Sequence, residues 1–104
     1  MQVELHVVQG GRDSSTIVDA ESFPVTGDAF LIGRDEVCHL RLNSRLISRR
    51  HCVLLQDEYA VRIRDLCSSN GTFVNGRKTD SYVDLNDGDI IVVGELFLRI
   101  TISR

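Results

Sequence analysis

Apolar and polar residues alternate with a period of two along nearly the whole chain, and no window repeats at i, i+3, i+4 and i+7. Such alternation marks strands with one face on a core, because successive side chains in a strand point to opposite sides. Val3 to Val8 forms a first strand with Val3, Leu5 and Val7 on one face. Gly10 to Ser15 is a turn-rich connection, and Thr16-Ile17-Val18 and Ser22-Phe23-Pro24-Val25 are short strands. Pro24 places the latter at a sheet edge, since proline cannot donate to a ladder. Thr26-Gly27-Asp28 turns the chain into Ala29-Phe30-Leu31-Ile32, which Gly33-Arg34 stops. Leu40-Arg41-Leu42 is a short strand, and His51 to Gln56 a longer buried one. Asp57-Glu58 reverses the chain into Tyr59 to Asp65, with Tyr59, Val61 and Ile63 on one face and Arg62 and Arg64 on the other.

Turn chemistry punctuates the rest. Asn75-Gly76 is the strongest short-range hairpin signal, and Gly94-Glu95 has the glycine-first form of a type II′ turn between Asp89–Val93 and Leu96–Ile102. About ten short strands separated by turn residues predict an all-β fold, an antiparallel β-sandwich. No linker, repeat or low-complexity segment interrupts it, so residues 1–104 are read as one domain.

Composition changes this picture in three ways. The 42% apolar fraction suits a packed core without metal or disulfide staples. No apolar run approaches the ~18 residues of a membrane span, and Met1-Gln2-Val3-Glu4 lacks the pattern of a signal peptide, so a cytoplasmic protein away from membranes is expected. Cys38, Cys52 and Cys67 cannot all pair and form no Cys-x-x-Cys spacing, so they read as reduced thiols. Cys38-His39 and His51-Cys52 match no structural zinc spacing, and neither a metal nor a cofactor is expected.

The net charge of -3 argues against a nucleic-acid partner. Yet every basic residue except Lys78 is arginine, concentrated between Arg34 and Arg64. The arginine fork suits two-pronged recognition of carboxylate or phosphate. An acidic protein with a local arginine cluster points to an anionic ligand met at one place. Three loops carry more polar chemistry than turns need: Gly33-Arg34, Ser48-Arg49-Arg50-His51, and Ser68-Ser69-Asn70-Gly71-Thr72. Their guanidiniums, hydroxyls, amide and glycine-freed backbone N–H groups are the components of an oxyanion cradle.

Four pieces stand in order: Ile32-Gly33-Arg34; Ser48-x-x-His51; Asp65-x-x-Ser68-Ser69-Asn70-Gly71-Thr72-Phe73-Val74-Asn75-Gly76; and Asp87-Gly88-Asp89-Ile90-x-x-Val93-Gly94. In this order and spacing they resemble the forkhead-associated (FHA) domain, over about residues 23–102. The resemblance implies a sandwich of about eleven strands, FHA/SMAD-like, whose loops at one end hold a phosphothreonine in an extended peptide. It implies that Arg34 and Ser48 contact the phosphate, Arg49 the phosphate or peptide backbone, and Ser69 and Asn70 the phosphothreonine and peptide backbone. His51 then ties the binding loops together, with Gly33, Gly71 and Asn75 in supporting roles. The expected partner is a phosphothreonine-containing protein, a substrate of a Ser/Thr kinase, read by a monomeric adaptor of signalling or assembly.

Two other readings compete. Ser48, His51 and Asp65 could form a nucleophilic set, although no nucleophile elbow is present and triads are recognised by geometry. The alternative of a sandwich that binds protein without phosphate would use the same fold.

Overall fold

The computed structural model describes residues 1–10 and 22–104, with backbone alone at Gln9 and Gly10. Among the described residues there are eleven strands and no helix. They run β1 (Gln2–Gly10), β2 (Ser22–Pro24), β3 (Ala29–Gly33), β4 (Leu40–Arg41), β5 (Cys52–Gln56), β6 (Val61–Asp65), β7 (Thr72–Val74), β8 (Arg77–Lys78), β9 (Val83–Leu85), β10 (Ile90–Val93) and β11 (Leu96–Ser103). They form a six-stranded sheet in the order β2-β1-β11-β10-β7-β8 and a five-stranded sheet in the order β4-β3-β5-β6-β9. The strand expected at Thr16–Val18, and the turn before it beyond Gly10, lie outside the described residues.

The period-two alternation resolves into two inner faces. Val3, Leu5 and Val7 of β1 are buried with Leu98 and Ile100 of β11 and Ile91 and Val93 of β10. In the same core cluster are Phe30, Ile32, Cys52, Leu54, Val61, Ile63 and Leu85 of the five-stranded sheet. β2 lies at a sheet edge, as Pro24 requires. Asn75 and Gly76 both take positive φ, 50° and 84°, the type I′ geometry that joins β7 to β8. At the β10–β11 turn Gly94 has φ 62° and Glu95 is not left-handed, as type II′ demands.

Two local expectations are corrected. Tyr59 is not in a strand facing with Val61 and Ile63. It is 77% exposed in a turn, and β6 begins at Val61. The Asp57 carboxylate accepts from the N–H groups of Tyr59 and Ala60 at 2.8 and 2.9 Å, which holds the chain in the turn for two more residues. The sandwich is also not wholly antiparallel, because β4 pairs with β3 in parallel. The 34–39 segment folds back, with His39 N–H on the Leu31 carbonyl and Leu42 N–H on that of Gly33, so the chain re-enters in the same direction.

The antiparallel order β3-β5-β6 sets the end of β3, the start of β5 and the end of β6 on one end of the five-stranded sheet. The loops after Gly33, before Cys52 and after Asp65 therefore converge there.

Candidate functional site

The β4–β5 loop, residues 42–51, is the centre of this end. Ile47 is 1% exposed and anchors the loop in the core. It packs on the β10–β11 turn so tightly that a Cβ at Gly94 would stand 2.6 Å from the Ile47 side chain. The β3 exit is equally close: a Cβ at Gly33 would lie 2.3 Å from the Arg49 carbonyl oxygen. A glycine before Arg34 is thus demanded by close approach of two backbones, which are joined by Arg34 N–H to the Ser48 carbonyl and Asp35 N–H to that of Arg49, both at 3.0 Å.

Arg34 donates through Nε to the Ile47 carbonyl at 3.1 Å. Among the described residues no hydrogen-bond partner or carboxylate engages its terminal nitrogens. The guanidinium is therefore oriented by its inner edge, with its outer edge left to bind. Ser48 Oγ accepts from Ser69 N–H at 3.0 Å, which leaves the hydroxyl proton to donate. Asn70 donates from Nδ2 to the Leu46 carbonyl at 2.8 Å, keeping its amide oxygen available. The two loops that carry Ser48 and Ser69-Asn70 are thus locked together directly.

His51 adds a second lock. It is fully buried, and its Nδ1 accepts from Ser48 N–H at 3.0 Å, which places the ring proton on Nε2, donating to the Gly71 carbonyl at 2.8 Å. Both ring nitrogens are spent on backbone, so neither takes a proton from Ser48 Oγ. Asp65 does not orient His51 either, since its carboxylate accepts from Ser68 and Thr72. The Ser48–His51–Asp65 set is close in space but not wired for nucleophilic catalysis.

Beside these residues a cleft of about 300 Å³ is lined by Arg34, Asp35, Glu36, Arg41, Asn43 and Arg49. The Arg49 carbonyl also accepts from Cys38 Sγ at 3.2 Å, while its side chain is exposed toward the cleft. Arg41 donates through Nε to the Arg34 carbonyl at 2.9 Å. Among the described residues no group of three or more His, Cys, Asp or Glu side chains is placed to hold a metal ion.

The structure brings Gly33, Arg34, Ser48, Arg49, His51, Ser69, Asn70 and Gly71 to one end. Asn75 is not with them. It sits at the far end of β7, where its amide donates to Asp89 and accepts from Ile90 N–H, fastening the β7–β8 hairpin to the start of β10.

The FHA domain model matches residues 30–94 of this chain. The chain belongs to the FHA family. Among its relatives, the mouse proliferation marker protein Ki-67 is 35% identical over 75 residues, 72% of this chain and 2% of that protein. A solved FHA domain from work on phosphothreonine-dependent FHA domain interactions superposes with a TM-score of 0.86 at 25% identity, covering 100% of this chain and 99% of that one. Mycobacterium tuberculosis EmbR, solved in complex with a low-affinity phosphopeptide, matches with a TM-score of 0.86 at 31% identity, over 98% of this chain and 24% of that one. The chain spans a small fraction of the length of the curated relatives it matches first.

Within the FHA fold two supports of this end are ones the sequence analysis did not assign to it. Gly94 reads locally as a turn residue, and its contact with Ile47 crosses from one sheet to the other. Asp65 and Ser68 stand in the motif, but the hydrogen bonds that join them to Gly71 appear only in three dimensions.

Proposed function

We propose that this FHA domain binds phosphothreonine in an extended peptide of a partner protein. The observation that carries the reading is the disposition of Arg34, pinned at Nε to the Ile47 carbonyl next to Ser48, with its terminal nitrogens engaged by no partner among the described residues. A phosphothreonine carries close to two negative charges and three strong acceptor oxygens, which suit a guanidinium fork with a hydroxyl donor next to it. In this reading Arg34 and Ser48 hold the phosphate and Arg49 adds charge from the cleft side. Ser69 and Asn70 take the phosphothreonine and its backbone, while His51, Gly33 and Gly71 keep the loops in register. Support comes from the relatives: FhaA of the same family is solved in complex with the intracellular domain of another protein, and EmbR with a phosphopeptide.

The same proposal takes residues 1–104 as one monomeric, cytoplasmic binding module without catalytic activity, whose partner is a substrate of a Ser/Thr kinase. Calorimetric titration with a matched pair of threonine and phosphothreonine peptides tests it. Binding of the phosphorylated peptide alone is the expected result. Equal binding of both peptides would replace the proposal with a phosphate-independent interaction surface.

A further inference from the structure

The base of the β6–β7 loop is built more heavily than a turn requires. Asp65 closes β6, and its carboxylate accepts three hydrogen bonds: from Ser68 N–H at 3.0 Å, from Ser68 Oγ, and from Thr72 Oγ1 at 2.7 Å. Ser68 Oγ in turn accepts from Gly71 N–H at 2.9 Å. The carbonyl of that same Gly71 accepts from His51 Nε2, and His51 Nδ1 accepts from Ser48 N–H. An unbroken relay therefore runs from Asp65 through Ser68, Gly71 and His51 to Ser48. Ser69 and Asn70 lie inside it, bracketed by Ser68 and Gly71.

Each donor aimed at Asp65 needs an acceptor, and an ionised carboxylate offers acceptors alone. Burial pushes the Asp65 carboxyl upward, but the Ser68 and Thr72 hydroxyls and the Ser68 N–H outweigh it and hold the group below its usual range. It is therefore a carboxylate at neutral pH. A neutral amide in its place supplies one acceptor oxygen for these three donors.

We propose that Asp65 is a positioning residue of the recognition end: through Ser68 and Gly71 it sets Ser69 and Asn70 in their ligand-ready places without touching the peptide. The inference rests on the phosphopeptide reading above. Its physical content is preorganisation. A loop already fixed does not have to be ordered when the peptide arrives, and each side chain spared that ordering is worth several-fold in affinity.

The test titrates one phosphothreonine peptide into the full chain as wild type, Asp65→Asn, Ser68→Ala, Asn70→Ala and the double variant Asp65→Asn/Asn70→Ala. Backbone amide spectra and amide exchange are recorded on the unliganded proteins. Asp65→Asn is expected to weaken binding about tenfold and Ser68→Ala about fivefold. On top of Asn70→Ala, Asp65→Asn should cost no more than about threefold, because residues acting through one contact are not additive. Exchange at Ser69, Asn70 and Gly71 should quicken in Asp65→Asn while that of Leu54 and Ile63 in the core stays slow. A folded Asp65→Asn domain with wild-type affinity, or a fully additive double variant, would overturn the proposal. If Asp65→Asn fails to fold, Ser68→Ala decides, since it cuts the relay and keeps the Ser68 N–H bond to Asp65. A wild-type chain that ignores phosphorylation sinks the phosphopeptide reading, and loop exchange then still decides whether Asp65 fixes the loop.

Discussion

Arg34 is fixed at one edge and open at the other, which makes its two contributions separable. On the proposed reading Arg34→Ala removes a charge-assisted contact to phosphate, and it should weaken phosphothreonine-peptide binding by about 2–5 kcal/mol, roughly 30-fold to several thousandfold. Its effect on folding is confined to one partly buried bond to the Ile47 carbonyl, about 1 kcal/mol. Arg34→Lys restores charge but not the fork, so it should recover part of the affinity. Titrations paired with melting curves read both effects. A folded Arg34→Ala domain with unchanged affinity would place the phosphate elsewhere. His51 should behave in the opposite way. Its removal orphans the Ser48 N–H and the Gly71 carbonyl, at about 1–3 kcal/mol each. For a domain of this size each kcal/mol lowers the melting temperature by roughly 4–8 °C. Lost binding without a drop in melting temperature would instead make His51 a ligand contact.

At the scale of elements, the site is a crossing of loops whose tolerances differ. Gly33→Ala drives a Cβ to 2.3 Å from the Arg49 carbonyl oxygen, and neither the oxygen, which is backbone, nor the Cβ, which is fixed rigidly to it, can rotate aside. The β3 exit and the β4–β5 loop must separate. We expect a stability loss of about 1–3 kcal/mol, the usual cost of overpacking, together with weakened phosphopeptide binding. Gly76→Ala is the control. Its Cβ meets nothing within 4 Å, so the cost is the left-handed backbone alone, about 1–2 kcal/mol. Because the β7–β8 turn lies at the far end of β7, affinity should be unchanged. Thermal denaturation and titration of both variants separate a joint at the site from one away from it.

For the whole molecule, pH separates ligand from domain. A phosphothreonine loses its second charge near pH 6, so affinity should fall between about pH 7 and 5. The domain should remain folded across that window. Asp65 is displaced downward on folding, so its contribution is complete above the unfolded value of about 3.9 and is lost as pH falls through the lower folded value. Acid destabilisation from this group therefore begins below about pH 4. The alkaline limit has the opposite sign. Burial pushes the Cys52 thiol up to about 12, so the neutral thiol's contribution is complete below its ordinary value and fades as pH climbs toward the folded one. Melting curves across the pH range, beside titrations with one phosphopeptide, check both limits. A melting temperature that collapses between about pH 7 and 5 would mean that the loss of affinity is unfolding and not the ligand's charge.

What the sequence alone determined is local in its physics. Alternation assigned inner faces to Val3, Leu5, Val7, Val61 and Ile63, because one face of a strand must meet the core. Asn75-Gly76 and Gly94-Glu95 announced their turns through the φ angles those residues tolerate, and Pro24 its edge through the missing N–H. The motif order placed the arginine, the hydroxyls and the amide on three loops. The tertiary structure decided everything that depends on contact between distant residues. It put Tyr59 in a turn, because the Asp57 side chain captured two backbone donors that the alternation pattern does not register. It turned the 34–39 segment back to pair β3 with β4 in parallel, and it moved Asn75 to the far end of β7. It explained Gly33 and Gly94 by atoms that approach from other loops, and joined Ser48 to Ser69 across 21 positions of chain. Periodicity reports which way a side chain faces, whereas hydrogen-bond partners and close approaches are set by the packing of two sheets, which no local window contains.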